Sequence, residues 1–173
     1  PTRIGLLKAL LKMGGDIEVK NKNTNNGEYI GDIIIKHSKL KGCTLDSNIA
    51  PTMIDEYPII SVAAAYASNS SKFCGLKELK MKESNRLLAI SENLSKCGVN
   101  TIIEEDNLVI HPLKKNMDNI IEISSKKDHR IAMSFAIMGM LSEKGFVINN
   151  AEYINTSFPD FIDKINKIGA KVS

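Results

Sequence analysis

The chain has 173 residues, enough for one domain with a substantial core, and 43% hydrophobic with 25% charged residues is the composition of an ordinary globular protein. Its 23 Lys/Arg against 20 Asp/Glu leave a net charge of +3, too balanced to imply nucleic acid as a partner, and the few aromatics, with no Trp, exclude a base-stacking platform. No apolar run approaches the roughly 18 residues of a membrane span, and no signal-peptide pattern is visible. Cys43, Cys74 and Cys97 have no CxxC spacing, so neither a disulfide framework nor a metal site is expected, and the expected setting is reducing and cytoplasmic.

In chain order, Pro1-Thr2-Arg3 leads directly into LLKALLKMGG, an amphipathic helix already under way. With no leading strand and no initiator Met, this predicts a piece of a longer protein. Three segments share one plan: 7–21, 87–105 and 161–173 each show helical apolar spacing, a Lys, and a Gly at the helix end. Gly14, Gly98 and Gly169 suit left-handed caps, and a short apolar strand is expected after each. A second helix type alternates with these. Segments 55–75 and 128–150 each start with Asp, run through small and apolar residues, and end in a strand; Asp55 and Asp128 are 73 positions apart. These helices are apolar on most faces and are expected to be buried. Strands are expected at 29–37, at 101–111 with a turn at Asp106-Asn107, and at 119–125. The pattern is strand, helix, strand, helix, then two or three strands, in a unit of roughly 75 residues present about twice.

Charge gathers at three helix starts. If a helix begins at Ser84 as N-cap, Lys82 and Arg86 lie about one turn apart and face one pocket beside a helix N-terminus, a good place for phosphate or carboxylate. The bland alternative is a solvated helix start with a Glu83–Arg86 pair. Asp128-His129-Arg130 leads an apolar helix, and Arg130 there opposes the helix dipole unless an anion binds; a simple cap with an exposed base is the alternative. Asp55-Glu56 reads first as capping, but its repeat-equivalence to Asp128 predicts that Asp55, Lys82/Glu83/Arg86 and His129/Arg130 approach a common cleft. Arg3 caps a helix or touches a ligand, and the residues leave both open.

The stretches APTMIDEYPIISVAAAYA (50–67), GLKELKMKESNRL (75–87), KKDHRIAMSFAIMG (126–139) and NTSFPDFIDKINKIGAKV (155–172) together resemble the C-terminal part of the EPSP synthase family, 3-phosphoshikimate 1-carboxyvinyltransferase, most closely its class II bacterial form. The resemblance runs in order through essentially the whole chain. It implies an α/β fold of two similar domains, an inside-out α/β barrel arrangement of six βαβαββ units. About two of those units would be present here, as one partial domain over 1–173, with the N-terminal domain absent. It implies transfer of the enolpyruvyl group of phosphoenolpyruvate to the 5-hydroxyl of shikimate 3-phosphate, with no metal or organic cofactor. By the same resemblance Asp55 contacts the shikimate hydroxyls and acts as general base, Lys82 lies between the substrates, and Glu83 carries a proton at the methylene carbon. Arg86 and Arg130 clamp phosphate and carboxylate, and His129 adds hydrogen bonding. Two departures stand out: Asn85 where the family usually has Asp, and Thr156 where some members have Lys. The partners implied are the two substrates and the missing N-terminal part of the enzyme, with neither nucleic acid nor membrane. The chain alone is then expected to be inactive; a non-catalytic remnant or scaffold of the same fold, or a different enolpyruvyl transferase, are the alternatives.

Overall fold

The computed structural model describes residues 3–115 and 117–173, with Glu28 described by its backbone alone. Pro1 and Thr2, which open the expected leading segment, lie outside the described residues. Helix α1 (Gly5–Lys12) feeds an antiparallel ribbon of β1 (Asp16–Asn25) and β2 (Glu28–Lys36). The ribbon turns at Asn26-Gly27, with φ of +49° and +82°, an Asn-Gly hairpin signal of the mirror-image turn type. Next come β3 (Thr44–Leu45), α2 (Tyr57–Ala65), β4 (Ser71–Phe73), α3 (Arg86–Lys96), β5 (Thr101–Glu104) and β6 (Asn107–Ile110). This run is one complete βαβαββ unit, and its sheet has the order β3-β4-β6-β5 with β3 and β4 parallel. The next unit starts with β7 (Ile121–Ser124), α4 (His129–Gly139), β8 (Phe146–Asn149) and α5 (Phe161–Lys167), with β7 and β8 again parallel. The chain thus holds the last part of one unit, a whole unit and most of a third, which together match the expected two units' worth of repeat.

Burial explains why the two helix types alternate. Helices α2 and α4, joining parallel strands, carry Ile60, Val62, Ala64 and Ile131, Phe135, Met138 into the main core, where α3 adds Leu87, Ile90 and Leu94. Strand residues Phe73, Leu108, Ile110 and Ile123 close that core from the sheet side. A smaller cluster joins Ala132 and Ala136 of α4 to Ile154, Phe161 and Ile165. Gly14, Gly98 and Gly169 end α1, α3 and α5 with φ of +84°, +80° and +105°, as their spacing predicts; only glycine takes that conformation at little cost.

Three local expectations shift. The β5–β6 turn falls on Glu105-Asp106, one residue early, because Glu105 takes the left-handed conformation at φ +54°. The helix after Lys82 is capped by Asn85, whose Oδ1 accepts from Leu88 N at 3.1 Å, and not by Ser84. No strand follows Gly169 among the described residues.

Cys97 sits buried at the end of α3, and burial pushes its thiol up to about 12. The reactive thiolate is therefore scarce near neutral pH. Alkylation of Cys97 at pH 8, followed by mass spectrometry, is expected to run at least ~100-fold slower in the folded chain than in the chain unfolded in urea.

Candidate active site

Asp55 lies in a 3-10 turn (Ile54–Glu56) immediately before α2, and Asp128 is the N-cap of α4. The two lead equivalent helices of successive units, as the repeat predicts, but they do different work. Asp128 is fully buried and caps its helix: Oδ1 accepts from Arg130 N at 2.9 Å and Ile131 N at 3.4 Å. Its Oδ2 accepts from Arg86 Nε at 2.7 Å and Ser84 Oγ at 3.0 Å. That second bond explains why Ser84 is not the cap of α3, since its hydroxyl is turned across to α4.

Arg86, the first residue of α3, is 1% exposed. Its guanidinium meets three carboxylates: Nε on Asp128, Nη1 on Asp55 Oδ1 at 3.0 Å, and Nη2 on Glu83. A buried cation is tolerable only when its donors are satisfied, and here each face of the planar fork has a partner. Lys82 reaches Asp55 Oδ1 at 3.4 Å and Glu78 at 2.6 Å. Arg130 donates from Nη1 to the Asp55 carbonyl at 3.1 Å and lies 3.6 Å from Glu56 Oε1. Its awkward place in the first turn of α4 is therefore offset by partners within the chain. Glu83 is half exposed, and His129, half-buried, makes no side-chain hydrogen bond among the described residues.

Four cations (Arg3, Lys82, Arg86, Arg130) thus interleave with five carboxylates (Asp55, Glu56, Glu78, Glu83, Asp128), brought together from the segment before α1, the 3-10 turn Lys77–Met81 and the starts of three helices. Burial pushes the Asp55 carboxyl up, but Lys82, Arg130 and a hydrogen bond from Arg3 outweigh it and hold the group below the usual carboxylate range. Asp55 is consequently ionised at neutral pH, the form that accepts a proton. A hydrogen bond to Glu78, reinforced by Asp55 against the effect of burial, raises the Lys82 ammonium, so Lys82 stays charged there.

The structure therefore brings Asp55, Lys82, Glu83, Arg86 and Arg130 into one cluster, with His129 beside Arg130 on α4. Four charged participants are additional: Asp128, Glu56, Glu78 and Arg3. Asp128 was visible in sequence as the leader of an apolar helix, and nothing local announced its bond to Arg86, 42 residues away. Thr156 lies in a 3-10 turn (Ala151–Thr156), and its hydroxyl donates to Tyr153 O at 2.7 Å. Two concavities lie away from the cluster: one of about 500 Å³ near Gly139, Phe146 and Val172, and one of about 610 Å³ near Lys96, Met117 and Ile121.

A solved structure with the same chain path is the enolpyruvyl transferase NikO from Streptomyces tendae. It has a TM-score of 0.71 at 14% identity, covering 98% of this chain and 36% of that one, and so the fold is that of enolpyruvyl transferases. The sequence family described as EPSP synthase (3-phosphoshikimate 1-carboxyvinyltransferase) matches residues 1–165, and the chain belongs to that family. It is 43% identical over 173 residues to the 3-phosphoshikimate 1-carboxyvinyltransferase of Paramagnetospirillum magneticum, covering 100% of this chain and 39% of that protein. It is 44% identical over 176 residues to the one from Rhizobium johnstonii, covering 99% and 39%. The solved EPSP synthase from Acinetobacter baumannii superposes with a TM-score of 0.94 at 36% identity over 100% of this chain and 40% of that chain. The chain spans about two fifths of the length of these relatives.

Proposed function

We propose that this chain supplies one wall of the active site of an enolpyruvyl transfer from phosphoenolpyruvate to the 5-hydroxyl of shikimate 3-phosphate. The products are 5-enolpyruvylshikimate 3-phosphate and phosphate. The observation that carries this is the convergence of Asp55, Lys82, Glu83, Arg86 and Arg130 at three helix starts in a chain of this family. The opposite wall comes from the remaining three fifths of the polypeptide, the setting is the cytoplasm, and the chain forms one partial domain, of the class II type.

The chemistry follows from charge. Asp55 orients the shikimate hydroxyls and accepts the 5-hydroxyl proton as the new C–O bond forms at the enol carbon. Glu83, which is half exposed, gives a proton to the methylene carbon as the tetrahedral adduct forms and takes one back from the resulting methyl group as the C–O bond to phosphate breaks and phosphate leaves. Lys82, Arg86 and Arg130 stabilise the phosphate and carboxylate of phosphoenolpyruvate and of the tetrahedral adduct, a task on which fixed cations act strongly. Arg86 is closed in by carboxylates; for its Nη2 to hold an anion, Glu83, the most exposed of the three, swings away. His129 adds a hydrogen bond at the same helix start.

The 173-residue chain by itself is expected to show no turnover. Joined to or co-expressed with the remaining part of the enzyme, it is expected to release phosphate from phosphoenolpyruvate only when shikimate 3-phosphate is present. Asp55→Asn or Lys82→Met in that assembly is then expected to lower kcat/KM at least ~100-fold. A reconstituted, folded assembly that releases no phosphate overturns the proposal in favour of a non-catalytic module.

A further inference from the structure

We propose that Arg3 is a positioning residue of this active site, holding Asp55 by one carboxylate oxygen so that the other is presented to Lys82 and Arg86. The proposal rests on the functional reading above for its kinetic consequences, and on geometry alone for the coupling of Arg3 to Asp55.

Arg3 Nη2 donates to Asp55 Oδ2 at 3.1 Å and to Glu56 Oε1 at 3.3 Å. The opposite oxygen, Oδ1, takes Arg86 Nη1 at 3.0 Å and lies 3.4 Å from Lys82 Nζ. The carboxylate is thus held on both oxygens from different elements, and its plane is fixed. Without Arg3 the group is free to rotate about its side-chain torsion, because the remaining side-chain donors all lie on one oxygen.

A packed junction, and not a loose end, delivers Arg3. Gly5 opens α1 against the 3-10 turn Ala50–Thr52, where a Cβ on residue 5 would stand 2.4 Å from Thr52 Oγ1 and 2.7 Å from Met53 Cβ. Only glycine fits that approach, and buried Ala9 and Met13 hold the rest of α1 to the main core. Two residues upstream of this contact, Arg3 falls over Asp55. Its side chain is 56% exposed, and ion pairs that open add little to stability. What Arg3 supplies is orientation and charge.

The sign of its effect on Asp55 is set by every charge that faces the group. Lys82, Arg86, Arg130 and Arg3 face it directly; Glu56 is its neighbour; Glu78, Glu83 and Asp128 stand behind the cations. Arg3 favours the ionised carboxylate, so removing it makes Asp55 take up its proton at higher pH.

The test uses Arg3→Gln, Arg3→Lys and Gly5→Ala in the intact protein that carries this chain. Gly5→Ala displaces Arg3 without altering its charge. Two readouts apply: the pH profile of kcat/KM and the 13Cγ titration of Asp55. In Arg3→Gln the acid limb and the Asp55 titration are both expected to move together to higher pH, with kcat falling more than KM rises. Arg3→Lys is expected to restore most of the pH shift, and Gly5→Ala to reproduce the shift in the same direction. The thermal midpoint of Arg3→Gln is expected to stay within about 2 °C of the parent. An unchanged Asp55 titration in Arg3→Gln overturns the proposal whatever the kinetics show. If the protein lacks enolpyruvyl transfer but Asp55 still titrates higher in Arg3→Gln, the coupling stands and the functional reading falls.

Discussion

Asp128→Ala is expected to remove about 3–5 kcal/mol of stability, the largest loss at any single charged position in this chain. The carboxylate is inaccessible and makes four hydrogen bonds, two to the backbone of α4 and two to Ser84 and Arg86. Truncation deletes the cap of α4, about 1 kcal/mol on its own, and strips the Nε partner from a guanidinium that is itself out of reach of water. Leaving one member of a buried pair uncompensated is what makes the change severe. Asp128→Asn separates the two contributions. Its amide oxygen still caps α4, but its NH2 presents a donor where Arg86 Nε needs an acceptor; the Ser84 hydroxyl can turn to accept. It is expected to lose the pairing energy while keeping the cap, and so to fall between parent and Asp128→Ala. Urea denaturation reads both; for a domain of this size the alanine variant should also melt roughly 10 °C lower. A loss under about 1 kcal/mol for Asp128→Ala contradicts the account of the buried pair.

Arg86→Lys is the second large effect. The charge survives, but the fork does not: Asp128, Asp55 and Glu83 are reached by Nε, Nη1 and Nη2, and a single ammonium cannot span the three. At a site 1% exposed the carboxylate left without a partner keeps its desolvation cost. A loss of about 2–3 kcal/mol is expected in urea denaturation. In the reconstituted enzyme kcat/KM for phosphoenolpyruvate is expected to fall at least ~100-fold, through loss of the Nη2 donor to the anion. If Arg86 serves only to hold α3 to α4, Arg86→Lys lowers stability while KM for phosphoenolpyruvate stays put, so measuring both decides between the roles.

Much of the architecture was legible because it is locally encoded. The 3.6-residue apolar period marked each long helix, the alternation of partly polar and nearly all-apolar helices marked which would be buried, and Gly14, Gly98 and Gly169 marked three helix ends. The repeat of Asp55 and Asp128 pointed to equivalent helix starts as the place where the charges gather. Where local reasoning slipped, a long-range bond or a strained residue was responsible. Ser84 has the right chemistry for a cap, yet its hydroxyl serves Asp128 and Asn85 caps instead. Glu105 is not a turn residue by type, yet it takes the left-handed conformation that displaces the β5–β6 turn.

By itself the sequence determined the family, the βαβαββ repeat and the charged residue types that stand at the helix starts, since each of these is written in spacing and in motifs a few residues long. Only the tertiary structure decided how those charges are paired. In the sequence Arg86 read as an anion-gripping residue facing a pocket; the packing of α2, α3 and α4 closes it off from water and sets three carboxylates around it. Arg3, ambiguous in the chain, becomes a partner of Asp55 because Gly5 lets α1 approach the turn at Ala50–Thr52. The pairing of a charge depends on burial and on what arrives from dozens of residues away, and burial is a property of packed elements that no local pattern contains.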